Sequence, residues 1–196
     1  MTSSSKKIYS LTITAVLLAV GLVLPFLTGQ IQAISRVISP LHIPVLICGL
    51  CCGWKWGLGL GIVLPLLRSL LFGMPPFPSS ALPMAFELAA YGLFAGLLYK
   101  AFLKKNRSGN HLALMLAALV IAMILGRFVG GAAKALFISA GIIGSKTPFT
   151  FAAFFSSYFV STAVGALIHI IIVPVIVLAL ERAGLSPMAG KGRKAG

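Results

Sequence analysis

The sequence predicts an all-α membrane protein with six transmembrane helices, on three observations. Of its 196 residues, 59% are hydrophobic and only 9% are charged, which lies far outside the composition of a soluble domain of this length. The apolar residues form long runs, and a spanning helix needs roughly 20 such residues. The basic residues lie mostly at the ends of these runs rather than within them.

The first three helices are predicted at 9–27, 42–54 and 56–72. Helix 1 follows the segment MTSSSKK and imitates a secretory signal, but no small-residue cleavage site follows it, so we expect a retained span. Helices 2 and 3 are short and rich in glycine and proline. Only the segment CGWKWG, around Lys55, marks the boundary between them.

The second half of the chain consists of longer apolar runs. These predict helices 4, 5 and 6 at 83–102, 112–139 and 151–181. The six helices form one transmembrane domain over residues 9–181, which follows a tail of residues 1–8 and precedes a basic tail of residues 182–196.

Charge placement predicts that both termini are cytoplasmic. In that orientation the outer loops carry only Arg36 and Lys146, as the positive-inside rule requires. Trp54 and Trp56 flank Lys55 where an interfacial aromatic belt is expected. Because the basic residues are scattered over helix ends, the net charge of +14 does not indicate nucleic-acid binding. The basic residues on the predicted inner side are Lys6, Lys7, Lys55, Lys100, Lys104, Lys105, Arg107, Arg182, Lys191, Arg193 and Lys194.

Four charged residues remain inside the predicted spans and outline a candidate binding site. These are Arg68, Glu87, Arg127 and Lys134. Each of these charges raises the free energy of membrane insertion by about 2.5–3.5 kcal/mol unless it is paired or hydrated. In the predicted orientation all four lie in the outer half of the membrane. Because Glu87 is the only acid among them, the residual positive charge favours a ligand that carries a carboxylate.

Helix 5 presents two of these cations on one face. Arg127, Gly130, Gly131 and Lys134 follow the spacing i, i+3, i+4 and i+7, which places them in one row of a helix. Two glycines between two cations predict an indentation with positive ends. Such an indentation is suited to an anionic or strongly polar small molecule.

Glu87, Tyr91 and His42 are predicted to complete the site. Tyr91 lies one turn after Glu87 on helix 4, and His42 begins helix 2 near the predicted outer surface. Three alternatives stay open at this point. Glu87 only pairs with an arginine to hold the bundle together, His42 only hydrogen-bonds at its helix end, or Lys134 is hydrated or reaches the interface with its long side chain.

Two outer loops are predicted to cover the site, and helix 1 is predicted to dock a partner. The loop TGQIQAISRVISP contains Gln30, and the loop GIIGSKTPFT contains Ser145 and Lys146. The alternative is that both loops are ordinary solvent-exposed connections. Ala15 and Ala19 form a small-xxx-small pattern that lets another helix approach closely.

Other notable residues of the spans are assigned mainly to packing. The cysteines at 48, 51 and 52 have no second CxxC and no pair of histidines beside them, so no metal site is predicted. His169, in the middle of helix 6, is expected to pack or to hydrogen-bond between helices. The aromatic segment FTFAAFFSSYF is expected mostly to face core or lipid, although Phe149, Phe151 and Tyr158 are candidates to close over a ligand.

Several stretches of the chain together resemble a known family. One shared feature is the length, which suits six spans with short tails. The others are Ala15-x-x-x-Ala19, the segment VLPFLTGQI, and the stretches SPLHIPVLICGLCCGWKWGLGLGIVLPLLRSLLFGMPP and MAFELAAYGLFAGLLYK. The ensemble resembles the substrate-binding S components of energy-coupling factor (ECF) vitamin transporters. It covers roughly residues 9–181, and residues 42–99 are most similar to the group that includes pantothenate carriers.

The resemblance implies an S-component-like bundle in the plasma membrane of a bacterium, surrounded by membrane lipid, that binds a vitamin from outside. It further implies docking through Ala15 and Ala19 onto a membrane coupling protein that sits on two ATPase subunits. ATP and Mg would then belong to those partner subunits, and this chain would need no cofactor. The chain has no GxxxxGK[ST] phosphate loop, in agreement with this division.

Pantothenate is the leading ligand, because its carboxylate suits Arg68, Arg127 or Lys134 and its hydroxyls and amide suit Glu87 and Tyr91. Folate, biotin, lipoate and a nucleobase-like precursor are alternatives, and pyridoxine is less favoured by the charges.

Two other classes of function have weaker support in the sequence. A membrane enzyme would have to be built without any aspartate and without an HExxH or GxSxG motif. A stand-alone secondary transporter would have to alternate access with six short helices and no detectable inverted repeat.

Overall fold

The computed structural model describes residues 3–27, 39–105, 110–144 and 150–187, and these are all-helical with no strand. Each helix forms where an apolar run is bounded by polar, glycine or proline residues. In chain order the helices are α1 (Ser3–Leu27), α2 (His42–Cys52), α3 (Trp54–Phe72), α4 (Ala81–Lys105), α5 (His111–Ser139), α6 (Phe151–Phe155) and α7 (Ala163–Arg182). A π-helical turn, Ser156–Val160, follows α6.

Five of the helical segments are long and apolar enough to span a bilayer, within the part of the chain that the structure describes. The segment from Phe151 to Arg182 counts as one of them, across the π-helical turn. The remaining helix, α2, has 11 residues and measures only about 16 Å at 1.5 Å per residue. The all-helical class is therefore confirmed and the five long apolar helices agree with a membrane protein, whereas the count of six spans and the cytoplasmic termini stay predictions.

The boundary between α2 and α3 differs from the predicted one. The break falls at Gly53, whose φ of 96° is readily available to glycine, and its N–H donates to the carbonyl of Gly49. α2 therefore ends at Cys52, whereas the sequence predicted its end at Trp54. α3 begins at Trp54, whereas the sequence predicted its start at Trp56. The predicted helix 6 is also not one regular helix, since the turn of residues 156–160 is π-helical.

The centre of the fold is α2, all of whose residues are buried. It contacts α1, α3, α4 and α7. Glycines allow the closest approach of these helices. A Cβ added to Gly57 would lie 2.7 Å from the carbonyl oxygen of Gly92 and 2.8 Å from Cα of Gly49, so three backbones meet at this point.

Antiparallel packing defines two ends of the bundle. Thr14 Oγ1 lies 3.4 Å from Cys48 Sγ, and Gly21 faces Pro44, so α1 begins where α2 ends. The end that contains the start of α1 and the last turn of α4 is called the Lys100 end. The opposite end, where α2 and α4 begin, is called the His42 end. In the predicted orientation these ends are cytoplasmic and extracellular, respectively.

Candidate ligand-binding site

A cavity of about 300 Å³ lies at the His42 end of the bundle. Its wall combines carboxylate, cationic, imidazole, hydroxyl and thioether side chains from α2, α4, α5, the π-helical turn and α7. Ser79 and Ser80, just before α4, are exposed and bring the cavity to the surface. The lining residues are Ser39, His42, Ser79, Ser80, Pro83, Met84, Glu87, Tyr91, Met123, Arg127, Lys134, Ser157, Tyr158, Thr162 and His169.

Glu87 is held in place by its neighbours in this wall. The hydroxyl of Tyr91 donates to Glu87 Oε1 at 2.8 Å, and His42 Nε2 lies 3.6 Å from the same oxygen. A Cβ at Gly130 would lie 2.7 Å from Cβ of Glu87, so glycine at this position makes room for the acid. The carboxylate therefore lies against α5 between the turns that carry Arg127 and Lys134.

Two histidines form the wall beside this carboxylate. The His42 ring stacks on His169 with centroids 5.6 Å apart and lies 5.0 Å from the Tyr91 ring. His42 Nδ1 is 3.1 Å from the carbonyl oxygen of Ser39, which holds the ring at the start of α2. The predicted site residue His42 and the histidine assigned to packing, His169, therefore belong to one cluster.

Arg127 contacts the π-helical turn and Thr162, which follows that turn. Its guanidinium is 5.3 Å from the centroid of the Phe159 ring, and Nη2 donates to the carbonyl of Thr162 at 3.4 Å. The Tyr158 hydroxyl donates to the carbonyl of Gly130 at 3.2 Å. The π-helical turn that carries Tyr158 and Phe159 thus contacts α5 at Gly130 and, one turn earlier, at Arg127. Such turns are frequent at functional sites.

Five of the predicted ligand-binding residues are brought together in the cavity wall: His42, Glu87, Tyr91, Arg127 and Lys134. Lys134 is partly buried, one turn from Gly130 towards the end of α5. These side chains place two cations and one acid around a common space. Their role in binding stays a prediction.

Arg68 lies elsewhere. Its guanidinium is 5.1 Å from the centroid of Phe26 and 5.3 Å from that of Phe72, and Nη1 donates to the carbonyl of Leu22. It is only 3% exposed and clamps α1 to α3. Arg68 lies one turn before the end of α3, near the place that the sequence predicts, but this position does not specify which neighbouring helix the side chain contacts.

Gly131 is also outside the cavity wall, because it packs against the ring of Phe154. The indentation that the two glycines predict is therefore filled by protein side chains, those of Glu87 and Phe154. The predicted gating residues Gln30, Ser145 and Lys146 lie outside the described residues, and their role stays a prediction.

The sequence did not single out most of the hydroxyl groups that line the cavity. Ser157 and Thr162 lie in and just after the π-helical turn, and Thr162 Oγ1 donates to the carbonyl of Tyr158 at 2.6 Å. The only available signal was the run of small polar residues in FFSSYFVST, which is unusual in the middle of an apolar segment. Tyr158, by contrast, was a sequence candidate and lines the wall.

Comparison with known families decides the class of this protein. A family model described as "ECF transporter, substrate-specific component" matches residues 9–180. The chain belongs to this family. No curated protein and no solved structure matches it. Together with the five long apolar helices, membership makes the chain a multi-pass membrane protein and the substrate-specific component of a transporter, and confirms the resemblance at the level of the family.

Proposed function

We propose that this ECF substrate-specific component binds a small monocarboxylate vitamin, with pantothenate as the leading candidate. The observation that carries the proposal is the charge pattern of the cavity wall, where Arg127 and Lys134 share a space with the single carboxylate of Glu87. With histidines counted as neutral, two cations and one acid leave a net charge of +1. One carboxylate on the ligand balances that charge.

The charge count separates the candidates. With Arg68 clamped between α1 and α3, the wall has one positive charge fewer than the sequence predicted. Folate carries two carboxylates and would leave a net negative charge inside the bundle, which is costly. Pyridoxine carries none and would leave the cation uncompensated. Pantothenate, biotin and lipoate each carry one.

Cavity size and wall chemistry favour pantothenate among these three. A volume of about 300 Å³ is at the lower end of the roughly 300–1,000 Å³ range of small-molecule sites. The wall offers many hydroxyl and imidazole groups, and pantothenate has two hydroxyls and an amide for them to bind. Biotin and lipoate would leave more of these polar groups without partners, at a cost in affinity.

We assign the ligand carboxylate to Arg127 and Lys134, since hydrogen bonds between two charged groups are the strongest available to it. Glu87, oriented by Tyr91, accepts hydrogen bonds from the ligand hydroxyls, and His42 lies beside the same carboxylate. Residues of the π-helical turn close the other side of the ligand.

The first test is to identify small molecules released from the purified protein by mass spectrometry. Titration calorimetry with pantothenate, biotin, lipoate, folate and pyridoxine should follow. We expect pantothenate at close to one molecule per chain, and binding of the other vitamins to be weaker. Recovery of a neutral or cationic molecule would contradict the carboxylate assignment and make Glu87 the main anchor.

Delivery of the ligand is proposed to require a membrane coupling protein and two ATPase subunits, which supply ATP and Mg. Ala15 and Ala19 support this step because both are exposed on the face of α1 that no other described helix covers. Small side chains at i and i+4 allow a partner helix to approach closely.

Ala19→Leu is expected to abolish copurification with the coupling protein while pantothenate affinity stays within about twofold, since its added bulk lies far from the cavity. Val20→Leu is the matched control, because Val20 is also exposed but already bulky. Equal copurification of the Ala19→Leu variant and the wild type would exclude this face as the docking surface.

A further inference from the structure

The two acidic residues of the chain are both engaged inside the bundle. Glu87 belongs to the cavity wall, where it interacts with Tyr91 and His42. Glu181 accepts a hydrogen bond from the hydroxyl of Tyr99 at 2.9 Å, and its other oxygen lies 3.6 Å from His111 Nε2. The side chain of Glu181 is only 8% exposed. The chain has 16 lysines and arginines, so its surface cations have no further side-chain carboxylate within the chain.

Six exposed basic side chains surround the Lys100 end of the bundle, and we call them the basic rim. They are Lys7, Lys55, Lys100, Lys104, Lys105 and Arg182. Their common location follows from three contacts. Trp54 at the start of α3 packs against Gly96, Tyr99 bonds to Glu181 beside Arg182, and α1 begins where α2 ends. No ion pair joins the rim to a carboxylate within the described ranges.

The helix dipole explains the positions of only some of the rim residues. Lys104 and Lys105 lie in the last turn of α4, where cations interact favourably with the carbonyl end of a helix. Lys55 lies in the first turn of α3, and Lys7 lies near the start of α1, where the helix dipole disfavours a cation. The helix dipoles therefore do not explain these two lysines, whereas an anion from outside the chain would stabilise them.

We propose that the basic rim binds the phosphate groups of anionic phospholipids in the leaflet at the Lys100 end. The rim residues alternate with exposed apolar side chains, among them Ile8 next to Lys7 and Leu97 one turn before Lys100. A phospholipid can bind the basic and the apolar side chains at once, since its acyl chains cover the apolar surface and its phosphate reaches the ammonium groups. An acidic protein surface would match the charges but not the adjoining apolar band.

Lys55 is the centre of the proposed headgroup site. Its Nζ lies 5.4 Å from the centroid of the Trp54 ring, so an ammonium and an indole are presented together, and the predicted orientation places them near the lipid phosphates. Trp54 and Trp56 are also the only two tryptophans of the chain, and both are partly exposed. Tryptophan fluorescence therefore reports directly on lipid contact at the rim.

The test is quenching of this fluorescence by brominated lipids in reconstituted bilayers. Brominated phosphatidylglycerol is expected to quench with roughly fivefold higher relative affinity than brominated phosphatidylcholine. The preference should decrease as salt is raised, because these charges are exposed. Inorganic phosphate should lower it no more than chloride at the same ionic strength, since free phosphate lacks acyl chains.

A Lys55→Gln, Lys100→Gln, Lys104→Gln variant is expected to lose the preference, and the matched variant with arginine at all three positions is expected to keep it. If the triple variant does not fold, the single variant Lys55→Gln replaces it in the test. Lys55→Gln should lower the preference for phosphatidylglycerol at least twofold. Equal quenching by the two lipids in the wild type would overturn the proposal. So would a triple glutamine variant that keeps the preference and instead loses copurification with the coupling protein, since the rim would then bind protein.

Discussion

Replacing Arg127 or Lys134 with glutamine is expected to weaken pantothenate binding by roughly 10- to 100-fold, the loss that corresponds to a hydrogen bond with a charged group. Both residues line the cavity, and they lie on the same face of α5 on either side of the turn that contacts Glu87. Removing one cation leaves the wall neutral before the ligand enters. The carboxylate of the ligand would then bring an uncompensated negative charge into the cavity.

The two variants are expected to differ in their response to conservative replacement. Arg127 lies over the ring of Phe159 and also donates to the carbonyl of Thr162, so its role depends on a planar group with several donors. Arg127→Lys should therefore recover only part of the affinity. Lys134→Arg should recover more, if its contribution is mainly its charge. Titration calorimetry on monodisperse protein measures both.

Arg68→Gln is the matched control for these measurements. It removes the same charge from a residue that contacts Phe26, Phe72 and the carbonyl of Leu22 rather than the cavity. We expect a lower melting temperature, since two buried cation–π contacts of about 2 kcal/mol each are lost, and an unchanged pantothenate affinity. If Arg68→Gln lowers affinity as much as Arg127→Gln, the assignment of the carboxylate to the α5 cations is wrong.

The contrast between Arg127 and Arg68 illustrates what the sequence could predict. The row formed by Arg127, Gly130 and Lys134 follows from helix periodicity alone, and the structure keeps these residues on the wall side of α5. The position of Arg68 along α3 is equally clear from the sequence. Periodicity does not specify which helix packs against that face, and the partner turned out to be α1.

Local backbone geometry was harder to predict than the order of the helices. Apolar runs located the helices to within a few residues, apart from α1, which begins at Ser3 rather than Tyr9. The π-helical turn at Ser156–Val160 contains no glycine or proline that would mark it. Its position depends on tertiary contacts such as the bond from Tyr158 to Gly130. These contacts are what bring Ser157 and Thr162 to the cavity.

The largest expected effect on folding comes from Gly92→Val. Cα of Gly57 lies 2.8 Å from the position of a Cβ on Gly92, and the neighbouring atoms are backbone atoms of Gly57. Backbone atoms cannot turn aside as the end of a side chain can. Overpacking of this kind costs about 1–3 kcal/mol even in cores that rearrange, and a β-branched side chain adds two further methyl groups. We expect a strongly lowered melting temperature or loss of monodisperse protein.

Gly59→Val is the matched control for this variant. Gly59 lies on α3, two residues from Gly57, and nothing lies within 4 Å of a Cβ added there. Gly59→Val makes the same chemical change at a position where the added side chain meets no other helix. This variant should therefore retain the wild-type melting temperature within a few degrees. Equal destabilisation by the two variants would mean that helix propensity, rather than the meeting of three backbones, controls stability.

The same substitution links the fold to the site. Gly92 follows Tyr91 and lies little more than one turn from Glu87, so α4 carries the helix junction and the acidic part of the cavity wall together. If the closeness of α3 and α4 positions Glu87, the milder variant Gly92→Ala should weaken pantothenate binding even where folded protein is recovered. Unchanged affinity in folded Gly92→Ala protein would show that α5, through Gly130, is enough to position the carboxylate.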